Sequence, residues 1–392
     1  MDRAWLCAVI ILIVTWTAAC SSSGSAASEA TASQKAPERS SAELALREKY
    51  AKPTAQWPSP VLDAGVTPRE LGLLPTPPAN PENPQTPQKI ELGKALFFDP
   101  RISGSGQIAC ASCHDPDLAW ADGRTTSFGH GRKELRRNSP SVLNAAYVES
   151  LFWDGRAPNL ESQALAVLAN PDEMRTDSQE MTAVLASSEG YRKLFEQAFG
   201  DPTPTLDRVG KAIGAFVRTI VGGHSDFDKF LRGDRDAISD EALRGLHLFR
   251  TRARCLNCHN GPELSDGKFH DVGLSYYKRK YEDLGRYSVT SRPADVGAFR
   301  TPSLRNVTRT APYMHNGLFD LDGVLNMYSS GMPTIRRTEE LAHDPLFPTK
   351  SPLLQPLKLT AEEKRDLKAF LTSLEEPKRR MRPPELPAIP GR

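Results

Sequence analysis

The pentapeptide Cys-x-x-Cys-His occurs twice, as Cys110-Ala111-Ser112-Cys113-His114 and as Cys255-Leu256-Asn257-Cys258-His259, about 145 residues apart. No other feature restricts the fold as strongly. On a helical turn, positions i, i+3 and i+4 share a face, so two thiols and one imidazole converge on one small volume. That convergence suits c-type haem attachment, in which the thiols take up the two vinyl groups and the imidazole reaches iron. A four-cysteine zinc site, with the two histidines incidental, is the competing reading. Duplication of the whole pentapeptide favours two covalent haems. The remaining cysteines, Cys7 and Cys20, fall within the first 20 residues.

Those first residues read as an export signal. Met1-Asp2-Arg3 precedes the apolar run Ala4 to Val14, and Thr17-Ala18-Ala19 then leads to Cys20. The run is too short for a spanning helix, which needs about 20 residues, so residues 1–19 are expected to be a signal peptide. Cys20, followed by Ser21-Ser22-Ser23, resembles the acylated cysteine of a bacterial lipoprotein, although Thr17 stands where that pattern usually has Leu. Ordinary cleavage after Ala19 is the alternative. Either route implies export to the periplasm, with membrane contact only through such a lipid. Residues 20–85 are rich in Ser and Ala and then carry ten prolines between Pro53 and Pro87, which predicts an extended, semi-rigid tether.

The remainder is read as a repeated helical unit. Leu92-Gly93-Lys94-Ala95-Leu96-Phe97 precedes the first pentapeptide, and Leu243-Arg244-Gly245-Leu246-His247-Leu248-Phe249 precedes the second. Both carry apolar residues at helical spacing. Pro87 marks the first helix start, Asp99-Pro100 its end, and Ser239-Asp240-Glu241 caps the second. Leu206–Leu231 is amphipathic, and no segment alternates with period two. The expected fold is mainly α, with two cytochrome c-like haem domains over residues 86–225 and 226–376 packed around an interface, and a tail over 377–392. Net charge is +2, from 50 basic and 48 acidic residues, so no basic excess exists to bind nucleic acid.

Around the two attachment sites stand further motifs. They are Phe128-Gly129-His130-Gly131, Arg137-Asn138-Ser139-Pro140, Phe152-Trp153-Asp154-Gly155-Arg156, Glu161-Ser162-Gln163-Ala164 and Asn170-Pro171-Asp172-Glu173-Met174. In the second half stand Phe299-Arg300-Thr301-Pro302-Ser303-Leu304-Arg305-Asn306 and Ala311-Pro312-Tyr313-Met314-His315-Asn316-Gly317. In this order they resemble the bacterial di-haem cytochrome c peroxidases, a family that includes the MauG-like enzymes, over about residues 86–376. The resemblance implies that Cys110, Cys113, Cys255 and Cys258 hold two haem c groups, with His114 and His259 as proximal ligands. It makes the first haem the peroxide site and the second the entry point for electrons. It also implies that His130 caps the first iron in the oxidised state, on a loop that Gly129 and Gly131 would let swing. Glu173 would then be the acid–base residue, Gln163 would hold peroxide, and Trp153 would relay electrons between haems. Asn138, with the carbonyls of Arg300 and Pro302, matches a calcium site. Away from the resemblance, Asn170-Pro171-Asp172-Glu173 also reads as a helix start, Asn138 as a turn residue, and Trp153 as a core aromatic.

Two departures stand out. Val167 replaces a Pro that the family commonly has four residues after the Gln. The family's sixth ligand to the second haem, Met in peroxidases and Tyr in MauG-like enzymes, is expected two residues after Gly317. Phe319 occupies that place and cannot ligate, so a five-coordinate iron, a water, or a displaced residue such as Met327 is expected there. The implied activity is reduction of hydrogen peroxide to water with electrons from a small donor protein, a cytochrome c or a cupredoxin. The alternatives are a MauG-like oxidase acting on a partner protein's side chain and a plain di-haem electron carrier. The family also allows a homodimer.

Overall fold

The computed structural model describes residues 39–378 and 380–391. The signal peptide, Cys20 and the first part of the expected tether lie outside the described residues. Among these residues the fold is mainly helical, as expected. In chain order the helices are α1 (Ser41–Tyr50), α2 (Pro87–Phe98), α3 (Leu160–Ala169), α4 (Ser178–Ser187), α5 (Glu189–Phe199) and α6 (Leu206–Val217). Then follow α7 (Asp226–Leu231), α8 (Asp240–Arg250), α9 (Tyr287–Thr290), α10 (Leu321–Ser329) and α11 (Ala361–Thr372). Strands β1 (Phe269–Asp271) and β2 (Ala298–Arg300) pair antiparallel, with His270 opposite Phe299. No described helix is long and apolar enough to cross a membrane.

Local chemistry sets the key helices. Thr86 accepts a hydrogen bond from the Lys89 backbone and Pro87 opens α2, while Ser239 accepts from Ala242 at the start of α8. Each then crosses a later helix at a glycine. A Cβ on Gly93 would lie 1.9 Å from the Ala212 carbonyl oxygen on α6, and one on Gly245 would lie 1.9 Å from that of Asp366 on α11. Only glycine permits so close an approach. One turn later the aromatic pairs Phe97–Phe216 and Phe249–Phe370 meet edge-on, with centroids 5.2 and 5.1 Å apart. The internal repeat is therefore a repeat of packing as well as of sequence.

Two apolar cores result. Leu96, Phe97, Tyr191, Phe195, Val209 and Phe216 belong to the first. Phe227, Leu246, Phe249, Leu367 and Phe370 belong to the second. The expectation of a tether over 20–85 is corrected from residue 41 onward: Tyr50, Trp57 and Leu71 are buried in the second core. Arg250, itself buried, pairs with Glu70 and donates to the Tyr50 hydroxyl and the Pro58 carbonyl. Prolines give this segment its extended path, but the aromatic and aliphatic side chains between them gain more by burial than a tether gains by freedom. The expected tail is corrected likewise. Pro387 and Ala388 accept hydrogen bonds from Arg101 and Ser188, and Ile389 enters the first core.

Candidate functional site

Each pentapeptide forms one tight helical turn, shorter than a full α-helix. Cys113 and His114 donate backbone hydrogen bonds to the Cys110 carbonyl at 3.2 and 3.0 Å; Cys258 and His259 do so to Cys255 at 3.2 and 2.9 Å. The turn is shorter because Asp115-Pro116 and Gly261-Pro262 interrupt the backbone bonding that follows. It still gathers the thiols and the imidazole on one side. All four thiols are free. Burial pushes Cys110 and Cys255 up to about 12 and Cys113 to about 11, so these three thiols are neutral. Among the described residues the only group placed to share a metal ion is Cys258, Asp266 and His270, so the four cysteines do not form a zinc site.

The two imidazoles are oriented alike. His114 Nδ1 lies 3.2 Å from the Trp120 carbonyl, and His259 Nδ1 lies 3.1 Å from that of Leu264. A carbonyl can only accept, so Nδ1 carries the proton and Nε2 is left with its lone pair for a metal. Burial lowers both pKa values and keeps the rings neutral. Both turns open onto one continuous cavity of about 960 Å³. Four free thiols at its wall, two imidazoles with an open Nε2 and a mainly apolar lining fit two covalently held haem groups.

On the first side of the cavity lie Gln163, from α3, and Glu173. Glu173 Oε1 accepts from Asn170 Nδ2 at 2.9 Å and lies 3.9 Å from Arg156 Nη2. Burial raises its pKa, opposed by the charge of Arg156. Trp153 donates from Nε1 to the Asn138 carbonyl at 2.9 Å, and its own carbonyl accepts from Arg300 at 2.9 Å. Asn138, Arg300 and Pro302 also border the cavity. Asn138 Nδ2 donates to the Arg124 carbonyl at 2.8 Å.

His130 is not among the cavity-lining residues. Its Nε2 lies 3.2 Å from Arg175 Nη1, and its Nδ1 is buried without a partner. Its backbone N–H donates to the carbonyls of Asp172 and Glu173 at 3.0 and 2.8 Å. The expected role of Gly129 is corrected as well. A Cβ there would lie 1.9 Å from the Asp172 carbonyl oxygen, so this glycine serves close packing, not freedom. Gly131 and Arg132, each with φ of 62°, hold the left-handed turn.

The expectation at Phe319 is corrected too. Phe319 does not line the cavity; its carbonyl accepts from Tyr313 at 2.7 Å. Tyr328, on α10, lines it instead. Burial, then the charges of Cys258 and Cys255, hold its hydroxyl pKa far above normal, which puts the ring beside the second attachment turn. The Asp320 side chain caps the start of α10, and Tyr328 stands in the last turn of that helix. Also missed was His315, 3% exposed, stacked on Phe299 at 3.7 Å and edge-on to Trp153 at 6.4 Å. Burial lowers its pKa to about 4, so the ring is neutral.

A family model described as di-haem cytochrome c peroxidase matches residues 87–236. The chain is 40% identical over 318 residues to the methylamine utilization protein MauG of Methylorubrum extorquens, covering 80% of this chain and 85% of that one. It is 37% identical over 334 residues to the cytochrome-c peroxidase IdrP1 of a Pseudomonas species, covering 78% and 85%. Its fold also matches the crystal structure of a MauG-like protein associated with microbial copper homeostasis. There the identity is 33% and the TM-score 0.69, over 77% of this chain and 93% of that chain.

Proposed function

Because the chain belongs to the di-haem cytochrome c peroxidase family, we propose that it reduces hydrogen peroxide to water with electrons from a small donor protein in the periplasm. The observation that carries this reading is the cavity shared by both attachment turns, with Glu173 and Gln163 on the first side. When bound, the haems supply the redox equivalents and an open iron position for peroxide. The protein supplies the proton chemistry. Glu173 takes a proton from the near oxygen and returns it to the leaving oxygen, and its raised pKa suits both halves of that task. Gln163 holds peroxide through its amide. Two further protons and two electrons complete the conversion of one peroxide to two waters.

His130 serves as a removable cap. Its side chain, here beside Arg175, would hold the iron of the first haem in the oxidised enzyme and release it when the pocket opens. Trp153, edge-on to His315, gives electrons an aromatic step between the two sides. Tyr328 closes the second pocket and would offer its hydroxyl to the haem held there. Asn138, with the Arg300 and Pro302 carbonyls, is a weak calcium site completed by water. Export rests on the apolar leader, and Cys20 is the point of lipid attachment. Steady-state peroxide consumption with a reduced small cytochrome c tests the activity; saturable turnover is expected.

Tyr328 favours a second reading, oxidation of a partner protein's side chain in the manner of MauG. That reading gains if peroxide bleaches the haem spectrum of the purified protein but no small donor restores it.

A further inference from the structure

Five charged side chains of alternating sign run from the second half of the molecule to the first pocket. Asp283 takes Arg137 in a two-pronged pair, Nε–Oδ2 at 2.7 Å and Nη2–Oδ1 at 2.8 Å. Arg137 Nη1 reaches Asp154 Oδ2 at 2.6 Å, Arg156 Nη1 lies 3.0 Å from the same oxygen, and Arg156 Nη2 lies 3.9 Å from Glu173 Oε1. Asp154 and Asp283 are largely shielded from solvent, with side chains 6% and 11% exposed. Shielding charges costs desolvation energy that pairing only partly returns, so such a chain adds little stability and much geometric definition.

The loop that carries the chain is gripped by the second half. Arg286 Nη1 donates to the carbonyls of Asp154 and Gly155 at 2.8 and 2.9 Å, and Arg300 donates its backbone N–H to Trp153. Gly155, with φ of 69°, lies against Phe269 of β1 so closely that a Cβ would come within 2.3 Å of the ring. At the far end the Arg156 guanidinium lies on the Phe152 ring, 3.4 Å from its centroid. That stacking fixes the plane from which Nη2 faces Glu173.

We propose that Arg156 is a positioning residue for Glu173, and that Asp283, Arg137 and Asp154 make the carboxylate's position answer to the second half of the molecule. The proposal rests on the reading of Glu173 as the acid–base group. Arg156 touches neither peroxide nor iron in this role; it acts through Glu173 alone. A shift of β1 or of the Asp283 loop moves Asp154, and through it the guanidinium that faces the pocket's carboxylate.

A double-mutant cycle on the di-haem protein tests this. The variants are Arg156→Ala and the remote Asp283→Asn, each in wild-type and Glu173→Gln backgrounds. Haem content and melting temperature serve as folding controls, and Asp283→Asn keeps the test alive should Arg156→Ala fail to fold. One readout is kcat and KM for peroxide. The other is cyanide association at the first haem, followed by the Soret shift, since hydrogen cyanide must also surrender its proton in the pocket. Arg156→Ala is expected to lower kcat and the cyanide rate by about tenfold, and Asp283→Asn by a few fold, with KM little changed. Neither should change anything further once Glu173 is Gln. Additive losses in the Gln background, or no loss in either single variant, overturn the proposal alone. If Glu173→Gln itself leaves turnover and cyanide binding intact, the acid–base reading fails and takes the proposal with it.

Discussion

Around the first attachment turn, buried Asp122 accepts a hydrogen bond from the Ser127 hydroxyl at 2.6 Å, and Ser127 bonds Cys113. Around the second, Asp266 lies 2.9 Å from His270 Nε2, and His270 bonds Cys258. The two turns match in backbone and in imidazole orientation, yet a neutral hydroxyl stands in one place and an imidazole in the other. Burial alone would lower the His270 pKa, but Asp266 and Cys258 raise it to about 10, so it is a cation at neutral pH. The second carboxylate is thus neutralised by a partner, whereas the first has a neutral hydroxyl as its side-chain partner. On their open faces the pockets differ again, with Glu173 and Gln163 at the first and Tyr328 at the second. Under the proposed function, the duplicated scaffold gives one side to proton chemistry and the other to holding charge.

The largest effect should come from the residue that has no counterpart in the second pocket. Glu173→Gln should lower kcat/KM for peroxide roughly 100-fold or more, with haem content intact. Retained turnover would make the two pockets chemically equivalent. Next, Tyr328→Met should raise the potential of the second haem alone, on the order of 100 mV, and bring in the near-infrared band of Met-to-ferric-iron ligation. Phe319→Met should do neither. If Phe319→Met gives that band, Phe319 and not Tyr328 faces the second haem.

A smaller change should follow from giving one turn the other's partner. His270→Ser leaves Asp266 uncompensated and should lower the second haem's potential by roughly 50 mV in spectroelectrochemical titration. Ser127→His should move the first haem the opposite way. The smallest effect concerns Asp271, buried next to His270 where exposed Phe128 follows Ser127. Burial raises Asp271 to about 6, against bonding from Gly273 and the charge of Lys350. The folded protein therefore keeps this proton to a higher pH than the unfolded chain. Stability should fall as pH rises from about 4 to about 6. Asp271→Asn should remove that dependence and stabilise the protein at pH 7 by about 2 kcal/mol, measured by urea unfolding at both pH values.

What the sequence disclosed was local. The turns that bring Cys110 to His114 and Cys255 to His259 together, the Ser239 cap and the end of α2 at Asp99 each depend on residues within one or two turns of chain. Glu173, Gln163 and Trp153 were reached through motifs, and all three border the cavity. What escaped was set by distant partners. Composition between residues 41 and 85 suggests freedom, and only the groove beside Arg250 turns it into packing. Tyr328 lies nine residues beyond Phe319, in the last turn of α10, and the Asp283 to Glu173 chain joins residues 110 positions apart.

The two outer segments cross, with residues 46–71 on the second core and 381–389 on the first, so each core is completed by chain from the opposite half. Without α8 and α11 residues 46–71 have nothing to lie on, and without residues 381–389 the first core lacks Ile389. A cut near residue 225 would therefore strip each half of the strap that the other carries.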